Sequence, residues 1–152
     1  SYGNAILTRY PVLAIRQIDL SVPLREPRGA VAVDVGVRFG TLRVVGIHLG
    51  LQAAERRAQV ERLLSELPAE NVPLVVAGDF NEWLPGSTVI RKLRARFDRP
   101  PALRSFPSWR PLLPLDRIFA EPTAALREVV IHRSILSRVA SDHLPVRASI
   151  RA

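Results

Sequence analysis

The stretch Leu74-Val75-Val76-Ala77-Gly78-Asp79-Phe80-Asn81 decides how this sequence folds. Its first four residues form a continuous apolar run, which is typical of a central strand buried on both faces of a sheet. Gly78, Asp79 and Asn81 then interrupt the apolar run at the end of the predicted strand. Because Gly, Asp and Asn are common turn formers, a plain turn is one interpretation. The other is a polar site at the end of a buried strand.

A β-hairpin is predicted before this strand. Valine alternates with other residues over positions 31–37, which is the two-residue period of a half-buried strand. Phe39-Gly40 supplies a short reversal, and a second strand is predicted over residues 42–47. Residues 3–7 also have the pattern of a strand, and residues 12–24 are predicted to be extended.

Two helices are predicted among these strands. Residues 53–67 carry apolar side chains at helical spacing, and the charged residues between them, including Glu55 and Arg56, are predicted to face solvent. A shorter helix is predicted over residues 87–97, with a hydroxyl residue at its start as the N-cap. Strands with helices between them predict an α+β layered fold. Three further strands are predicted at residues 115–120, 126–131 and 146–150.

The composition limits the class of protein. A length of 152 residues is enough for one domain and too short for two. With 47% hydrophobic and 24% charged residues, a wholly disordered chain is excluded. The sequence contains no cysteine, which excludes a disulfide framework and a thiolate metal site. No apolar run approaches a membrane span and no signal-peptide pattern is visible, so a cytoplasmic location is expected.

The net charge of +8, from 22 basic and 14 acidic residues, favours polyanionic partners. Nucleic acid, anionic lipid headgroups and phosphorylated substrates all belong to this class. The arginines are scattered and aromatic residues are not interleaved with them, so no base-stacking platform is evident. The charge therefore indicates only a preference for phosphate-bearing substrates.

Several polar residues stand at predicted strand ends, where a sheet fold can bring them into one cleft. A hard cation such as Mg²⁺ binds carboxylate and amide oxygens, commonly one or two carboxylates together with substrate phosphate. An aspartate can position or deprotonate water, and a histidine can act as general base or as a cation facing negative charge. The set predicts metal-assisted phosphoester hydrolysis. The candidate residues are His48, Asp79, Asn81, Asp116, Asp142 and His143.

Each candidate also has a plain structural interpretation when it is considered alone. Asp142 can cap a turn before Pro145, and His48 can be a satisfied histidine at a strand end. Asp116 is the hardest to explain in this way, because a carboxylate among leucine and isoleucine needs a partner. Function explains the whole set better than a series of separate structural roles. His132 stands alone in a predicted surface strand and is assigned no role.

With these motifs in this order, the sequence resembles the endonuclease/exonuclease/phosphatase superfamily, which has the deoxyribonuclease-I-like fold. The Gly-Asp-Phe-Asn and Ser-Asp-His motifs are specific as a pair. The resemblance implies a four-layered α/β sandwich of two packed, mainly antiparallel sheets, with the active site at one end of them. The matching stretches are residues 3–11 (GNAILTRYP), 46–49 (GIHL), 75–83 (VVAGDFNEW), 115–119 (LDRIF) and 141–145 (SDHLP).

The resemblance also implies a role for each candidate. Asp79 would orient or activate the attacking water, and Asn81 would contact the phosphate. His143 would be the catalytic histidine, oriented by the carboxylate of Asp116. Asp142, together with Asp79, would hold a divalent cation, Mg²⁺ or Mn²⁺. The last candidate, His48, would match the family's other active-site histidine, which contacts the scissile phosphate.

One departure from the family pattern bears on activity. In the family, an asparagine and a metal-binding glutamate, usually in a Gln-Glu pair, precede the strand that begins here at Gly3. Both are absent from this sequence, so residues 1–152 resemble a single partial domain, the C-terminal portion, without its N-terminal strands. We expect the isolated chain to be a weak enzyme at best, with exposed sheet edges that promote self-association.

The resemblance leaves the substrate open. A phosphodiesterase, a nuclease and a phosphatase all fit, acting on nucleic acid, a phospholipid headgroup or a small phosphodiester. The alternative is a degenerate, non-catalytic relative that binds a phosphorylated ligand or a protein, because the N-terminal glutamate is absent. The proline-rich loop at residues 100–114, with Phe106 and Trp109, either rims the site or is simply packed by its two aromatic residues, and packing is favoured.

Overall fold

The computed structural model describes residues 3–68, 71–97 and 101–151. They form a mixed fold of two β-sheets and three α-helices. The larger sheet consists of β1 (Val12–Asp19), β2 (Gly29–Val37), β3 (Gly40–His48), β4 (Leu74–Asp79) and β5 (Asp116–Glu121). The smaller sheet consists of β6 (Leu126–Ile131) and β7 (Val146–Ile150). The helices are α1 (Ala53–Glu66), α2 (Thr88–Phe97) and α3 (Ile135–Ala140).

The strands of the larger sheet lie in sequence order, β1-β2-β3-β4-β5. Every neighbouring pair is antiparallel except β3 and β4, which are parallel. A parallel pair needs a crossover, and α1 supplies it here. As a result, β3 and β4 both finish at the same end of the sheet where β5 begins.

The core is divided between the two faces of the larger sheet. On one face, apolar residues of α1 and α2, including Leu63 and Phe97, pack against Val76 and Phe119. On the other face, a second cluster around Val75 is covered by residues of the smaller sheet. Burial on both faces confirms that β4 is a central strand, and the two packed sheets confirm the predicted α+β class.

The structure differs from the sequence-based expectations in three places. Residues 3–7 are not a strand: Asn4 Nδ2 donates to the Gly29 carbonyl at 2.7 Å and Ile6 packs on the second cluster, but no ladder forms with the described chain. Of the region predicted to be extended, residues 12–24, only Val12–Asp19 form a strand, β1, and a turn lies at residues 23–24. The helix α3 was not expected, and Ser134 caps it by accepting from the Ser137 amide at 3.0 Å.

None of the helices in the described part of the chain is long and apolar enough to span a bilayer.

Candidate active site

Three neighbouring strands place candidate residues side by side. His48 is the last residue of β3, Asp79 is the last residue of β4, and Asp116 is the first residue of β5. The sheet register pairs His48 with Asp79, and Asp79 with Asp116. His48 Nε2 lies 3.5 Å from Asp79 Oδ2. The sheet therefore assembles these three side chains through its backbone pairing.

His143 joins this group from a different part of the chain, the segment between α3 and β7. Its Nδ1 lies 2.7 Å from Asp116 Oδ2, and its Nε2 lies 3.9 Å from Asp79 Oδ2. The ring of Phe106 packs against the imidazole, with 4.9 Å between the centroids. The carboxylate of Asp79 thus stands between two imidazoles, one of which is held by Asp116.

The backbone around Asp79 adopts a conformation that only certain residues allow. Gly78 has a φ of 150°, and a Cβ atom there would lie 1.9 Å from the carbonyl oxygen of Ile47. Asn81 has a φ of 48°, a left-handed conformation that asparagine tolerates better than most residues. The backbone N–H of Asn81 donates to Asp79 Oδ1 at 2.8 Å, and this hydrogen bond fixes the carboxylate. The side-chain Nδ2 of Asn81 donates to the Leu49 carbonyl at 2.8 Å.

The two histidines differ in their preferred charge. Burial by itself lowers the pKa of His143, but the hydrogen bond and charge of Asp116, with the charges of Asp79 and Asp142, raise that pKa above its ordinary value. Burial lowers the pKa of His48, and Asp79 only partly opposes this. The site therefore favours a cationic His143 beside a neutral His48.

Burial also acts on the carboxylate between them. It raises the pKa of Asp79, and the negative charge of Asp116 acts in the same direction. The backbone hydrogen bond from Asn81 and the nearby histidines oppose this shift. A carboxylate with a raised pKa is a better proton acceptor when it is ionised, which suits a group that activates water.

A divalent cation at this site would be bound mainly by carboxylates. Within residues 3–68, 71–97 and 101–151, no group of three or more His, Asp or Glu side chains has a metal-binding arrangement. Asp79 and Asp142 are two carboxylates, and Mg²⁺ commonly uses one or two with substrate phosphate and water. Asp142 is exposed beside His143, and its backbone carbonyl accepts from the Ser108 amide at 2.7 Å. The donor chemistry suits a hard cation, with further ligands required from outside this pair.

Ser105 is part of the site although no sequence pattern selects it. It is fully buried, and its hydroxyl donates a short hydrogen bond to Asp116 Oδ2. Its carbonyl also accepts from the Leu144 amide at 2.8 Å. The proline-rich loop is therefore tied to the Asp116–His143 pair, and Phe106 of the same loop contacts His143 directly. A lone serine in a loop carries no sequence signal for such a role.

The prediction that Glu55 and Arg56 face solvent is wrong. Both are buried on α1. Glu55 lies against Gly50 and accepts from the Gln52 amide at the start of the helix. Arg56 is covered by Glu82 of the loop after β4. The Arg56 guanidinium lies 3.2 Å from Glu82 Oε2, with both side chains at least 95% buried. The Nη2 of Arg117, also buried, donates to the Glu82 carbonyl at 3.0 Å. The one feature of the sequence that pointed to this ion pair was the position of Glu82, directly after Asn81.

Breaking this buried ion pair should strongly destabilise the protein. Arg56→Met or Glu82→Leu alone leaves one charge buried, which typically costs about 3–5 kcal/mol, whereas replacing both charges together often costs far less. Urea denaturation of the two single variants and the double variant measures the coupling between the residues. The exposed Lys92–Glu61 pair is the matched control, since Glu61→Leu should cost at most about 1 kcal/mol. If the double variant lost as much free energy of unfolding as the two single variants together, the expectation would be contradicted.

Comparison with known proteins agrees with the sequence motifs. A family model described as "Endonuclease/Exonuclease/phosphatase family" matches residues 1–143. The uncharacterized protein YbhP of Escherichia coli K12 is 35% identical over 98% of this chain and 62% of its own length. The chain thus spans less than two thirds of the length of this curated relative.

Two solved structures are similar in fold. A conserved protein of unknown function from Enterococcus faecalis V583 superposes with a TM-score of 0.74 at 21% identity, covering 93% of this chain and 67% of that one. The catalytic domain of human Nocturnin superposes with a TM-score of 0.69 at 23% identity, covering 94% and 61%. Since the family model matches nearly the whole sequence, this chain belongs to the endonuclease/exonuclease/phosphatase family.

Proposed function

We propose that the protein is a phosphoester hydrolase that uses a divalent cation, Mg²⁺ or Mn²⁺. One observation carries the proposal: the half-buried carboxylate of Asp79 stands between two imidazoles, with His48 Nε2 at 3.5 Å and His143 Nε2 at 3.9 Å, and Asp116 holds the second imidazole at 2.7 Å. A protein that only binds phosphate has no need for a carboxylate-held histidine directed at a second carboxylate. Membership of the endonuclease/exonuclease/phosphatase family supports hydrolysis of a phosphoester.

In the proposed reaction, Asp79 orients a water molecule and accepts its proton as the water oxygen attacks phosphorus. The new P–O bond forms as the ester P–O bond breaks, and the departing oxygen takes up a proton from solvent water. The His143 imidazolium faces the negative charge that develops on the phosphoryl oxygens, where a preorganised cation is most effective. The 2.7 Å contact with Asp116 fixes the orientation of the imidazole.

Two further residues would bind the phosphate. Neutral His48 can donate a hydrogen bond to a phosphate oxygen from the end of β3. The side-chain nitrogen Nδ2 of Asn81 carries two hydrogens. One of them bonds to the Leu49 carbonyl, so the other can donate to the phosphate without adding repulsive charge. The carboxylates of Asp79 and Asp142 would hold the cation. When bound, the cation neutralises charge on the phosphoryl and leaving oxygens.

Removal of divalent cations should abolish activity. We expect the full-length protein to hydrolyse bis-p-nitrophenyl phosphate at the background rate in EDTA and to regain activity when excess Mg²⁺ or Mn²⁺ is added. Liberated p-nitrophenolate measures the rate, and circular dichroism in EDTA verifies that the fold is retained. A sample with EDTA already saturated by Mg²⁺ controls for effects of the chelator. Full activity in EDTA would contradict the metal requirement.

A non-catalytic, phosphate-binding relative is the second candidate. The observation in its favour is that the described residues contain no group of three metal-binding side chains. This candidate predicts saturable binding of a phosphodiester, measured by calorimetry, without turnover at any Mg²⁺ or Mn²⁺ concentration. Metal-dependent turnover by the full-length protein would exclude it.

A further inference from the structure

Large apolar side chains are exposed on two segments beside the candidate active site. Trp109 lies in the proline-rich loop and is 73% exposed, with Leu112 nearby in sequence at 50%. On α3, Ile135, Leu136 and Val139 are between 72% and 89% exposed. We call these five residues the apolar rim. Apolar side chains exposed to this extent on neighbouring segments indicate a contact surface.

The two segments of the apolar rim are joined to each other and to the site. The hydroxyl of Ser108, next to Trp109, donates to the Arg138 carbonyl of α3 at 3.1 Å. The Ser108 amide donates to the Asp142 carbonyl at 2.7 Å. The end of α3 leads directly to Asp142 and His143. The apolar rim therefore adjoins the mouth of the candidate active site.

The charged side chains on the two segments that carry the apolar rim are arginines, and the nearest carboxylates, Asp116 and Asp142, belong to the candidate active site. Residues 101–115 and 131–141 contain four arginines and neither aspartate nor glutamate. All four guanidinium-bearing residues are exposed, and none belongs to an ion pair found among the described residues. Exposed arginines around exposed apolar residues are complementary to a surface that is anionic outside and apolar beneath. The four residues are Arg104, Arg110, Arg133 and Arg138.

We propose that the apolar rim and its arginines dock the protein on an anionic lipid bilayer, with the active site facing the headgroups. The substrate would then be a phosphodiester in a lipid headgroup, a conclusion that rests on the proposed function. Nucleic acid fits the observations less well, because base stacking requires aromatic platforms and four of the five rim residues are aliphatic. Aliphatic side chains and a tryptophan suit the interface of a bilayer.

Vesicle co-sedimentation tests the docking without any need for turnover. We expect the full-length protein to sediment with vesicles of phosphatidylcholine containing phosphatidylglycerol, and much less with phosphatidylcholine alone. The double variant Trp109→Ser/Leu136→Ser should bind the anionic vesicles at least about tenfold more weakly, because it loses two apolar side chains that insert. The second double variant, Ile135→Ser/Val139→Ser, should show the same loss of vesicle binding. It replaces the first variant if circular dichroism shows that the first is misfolded.

The matched control removes apolar area elsewhere. Leu13, on β1, is 58% exposed, and Phe39, in the turn between β2 and β3, is 45% exposed. The turn between β2 and β3 lies at the end of the sheet away from His48. Leu13→Ser/Phe39→Ser should bind the anionic vesicles as the unmodified protein does. Equal losses in the control and the rim variants would overturn the proposal, since binding would then not be located at the rim.

Other outcomes also overturn the proposal. Failure of the full-length protein to bind either kind of vesicle would mean that the rim is covered by protein or serves another partner. Rim-dependent binding of a single-stranded oligonucleotide without binding of vesicles would assign the surface to nucleic acid. A variant with Asp79→Asn should bind vesicles normally, so a failure of the proposed hydrolysis leaves the binding measurement intact and the two results remain distinguishable.

Discussion

Asp79→Asn is expected to lower kcat for phosphodiester hydrolysis by about 10³-fold, within the range attributed to a positioned acid or base. Asparagine has nearly the same shape as aspartate. Its side-chain oxygen can still accept the hydrogen bond that the backbone N–H of Asn81 donates to Asp79 at 2.8 Å. The substitution removes the negative charge between His48 and His143, together with the group proposed to accept the proton of water. The turn should persist while the chemistry is lost.

Asp34→Asn is the matched control for this substitution. Asp34 is also partly buried and accepts from Arg43 at 2.7 Å, but it lies within β2, away from the site. We expect kcat to remain within about threefold of the unmodified value, since no transition-state contact is removed. Steady-state kinetics with bis-p-nitrophenyl phosphate measures both variants, and urea denaturation verifies their folding. An Asp79→Asn variant with kcat within tenfold of normal would refute the role assigned to Asp79.

Gly78→Ala is expected to destabilise the protein more than Gly40→Ala or Gly86→Ala does. The new Cβ atom would lie 1.9 Å from the Ile47 carbonyl oxygen, on the neighbouring strand, and the φ of 150° disfavours any L side chain. The positive φ costs about 1–2 kcal/mol, and overpacking adds about 1–3 kcal/mol. Relief of the clash would separate β3 from β4 at His48 and Asp79, so activity should fall as well.

Two other glycines separate the causes of this effect. Gly40 has a φ of 120° but open space around its Cβ position, so Gly40→Ala should cost only about 1–2 kcal/mol. Gly86 has neither a positive φ nor a close neighbour, so Gly86→Ala should have little effect or stabilise by about 0.4–1 kcal/mol. Urea denaturation of the three variants measures the free energy of unfolding. A loss for Gly78→Ala no larger than that for Gly40→Ala would mean that the strands tolerate the added methyl group.

The elements predicted with success have strong local patterns. The alternating valines of β2, the apolar run of β4 and the apolar face of α2 each occur where the periodicity indicates. Residues 3–7 have a comparable pattern but form no ladder with the rest of the described chain, because a strand also requires a partner at its edge. The short helix α3 was not predicted, since its six residues expose an apolar surface that local patterning assigns to a core.

The candidate site was predicted as a set of residues but not as an arrangement. The residue types and their order were sufficient to select His48, Asp79, Asp116 and His143. Their distances depend on sheet register and on the return of the chain before β7. The role of Ser105 had no sequence signal, because a serine acquires that role only through the carboxylate it contacts.

The sequence by itself therefore determined most of the secondary structure, the family and the set of candidate site residues, because periodicity and motifs are properties of residues that are close in sequence. Tertiary structure decided which groups meet. Asp116 and His143 are 27 residues apart, and Arg56 and Glu82 are 26 residues apart. It also decided that Glu55 and Arg56 of α1 are buried while the apolar residues of α3 are exposed. Burial and pairing over such separations depend on how the layers pack, which no local pattern specifies.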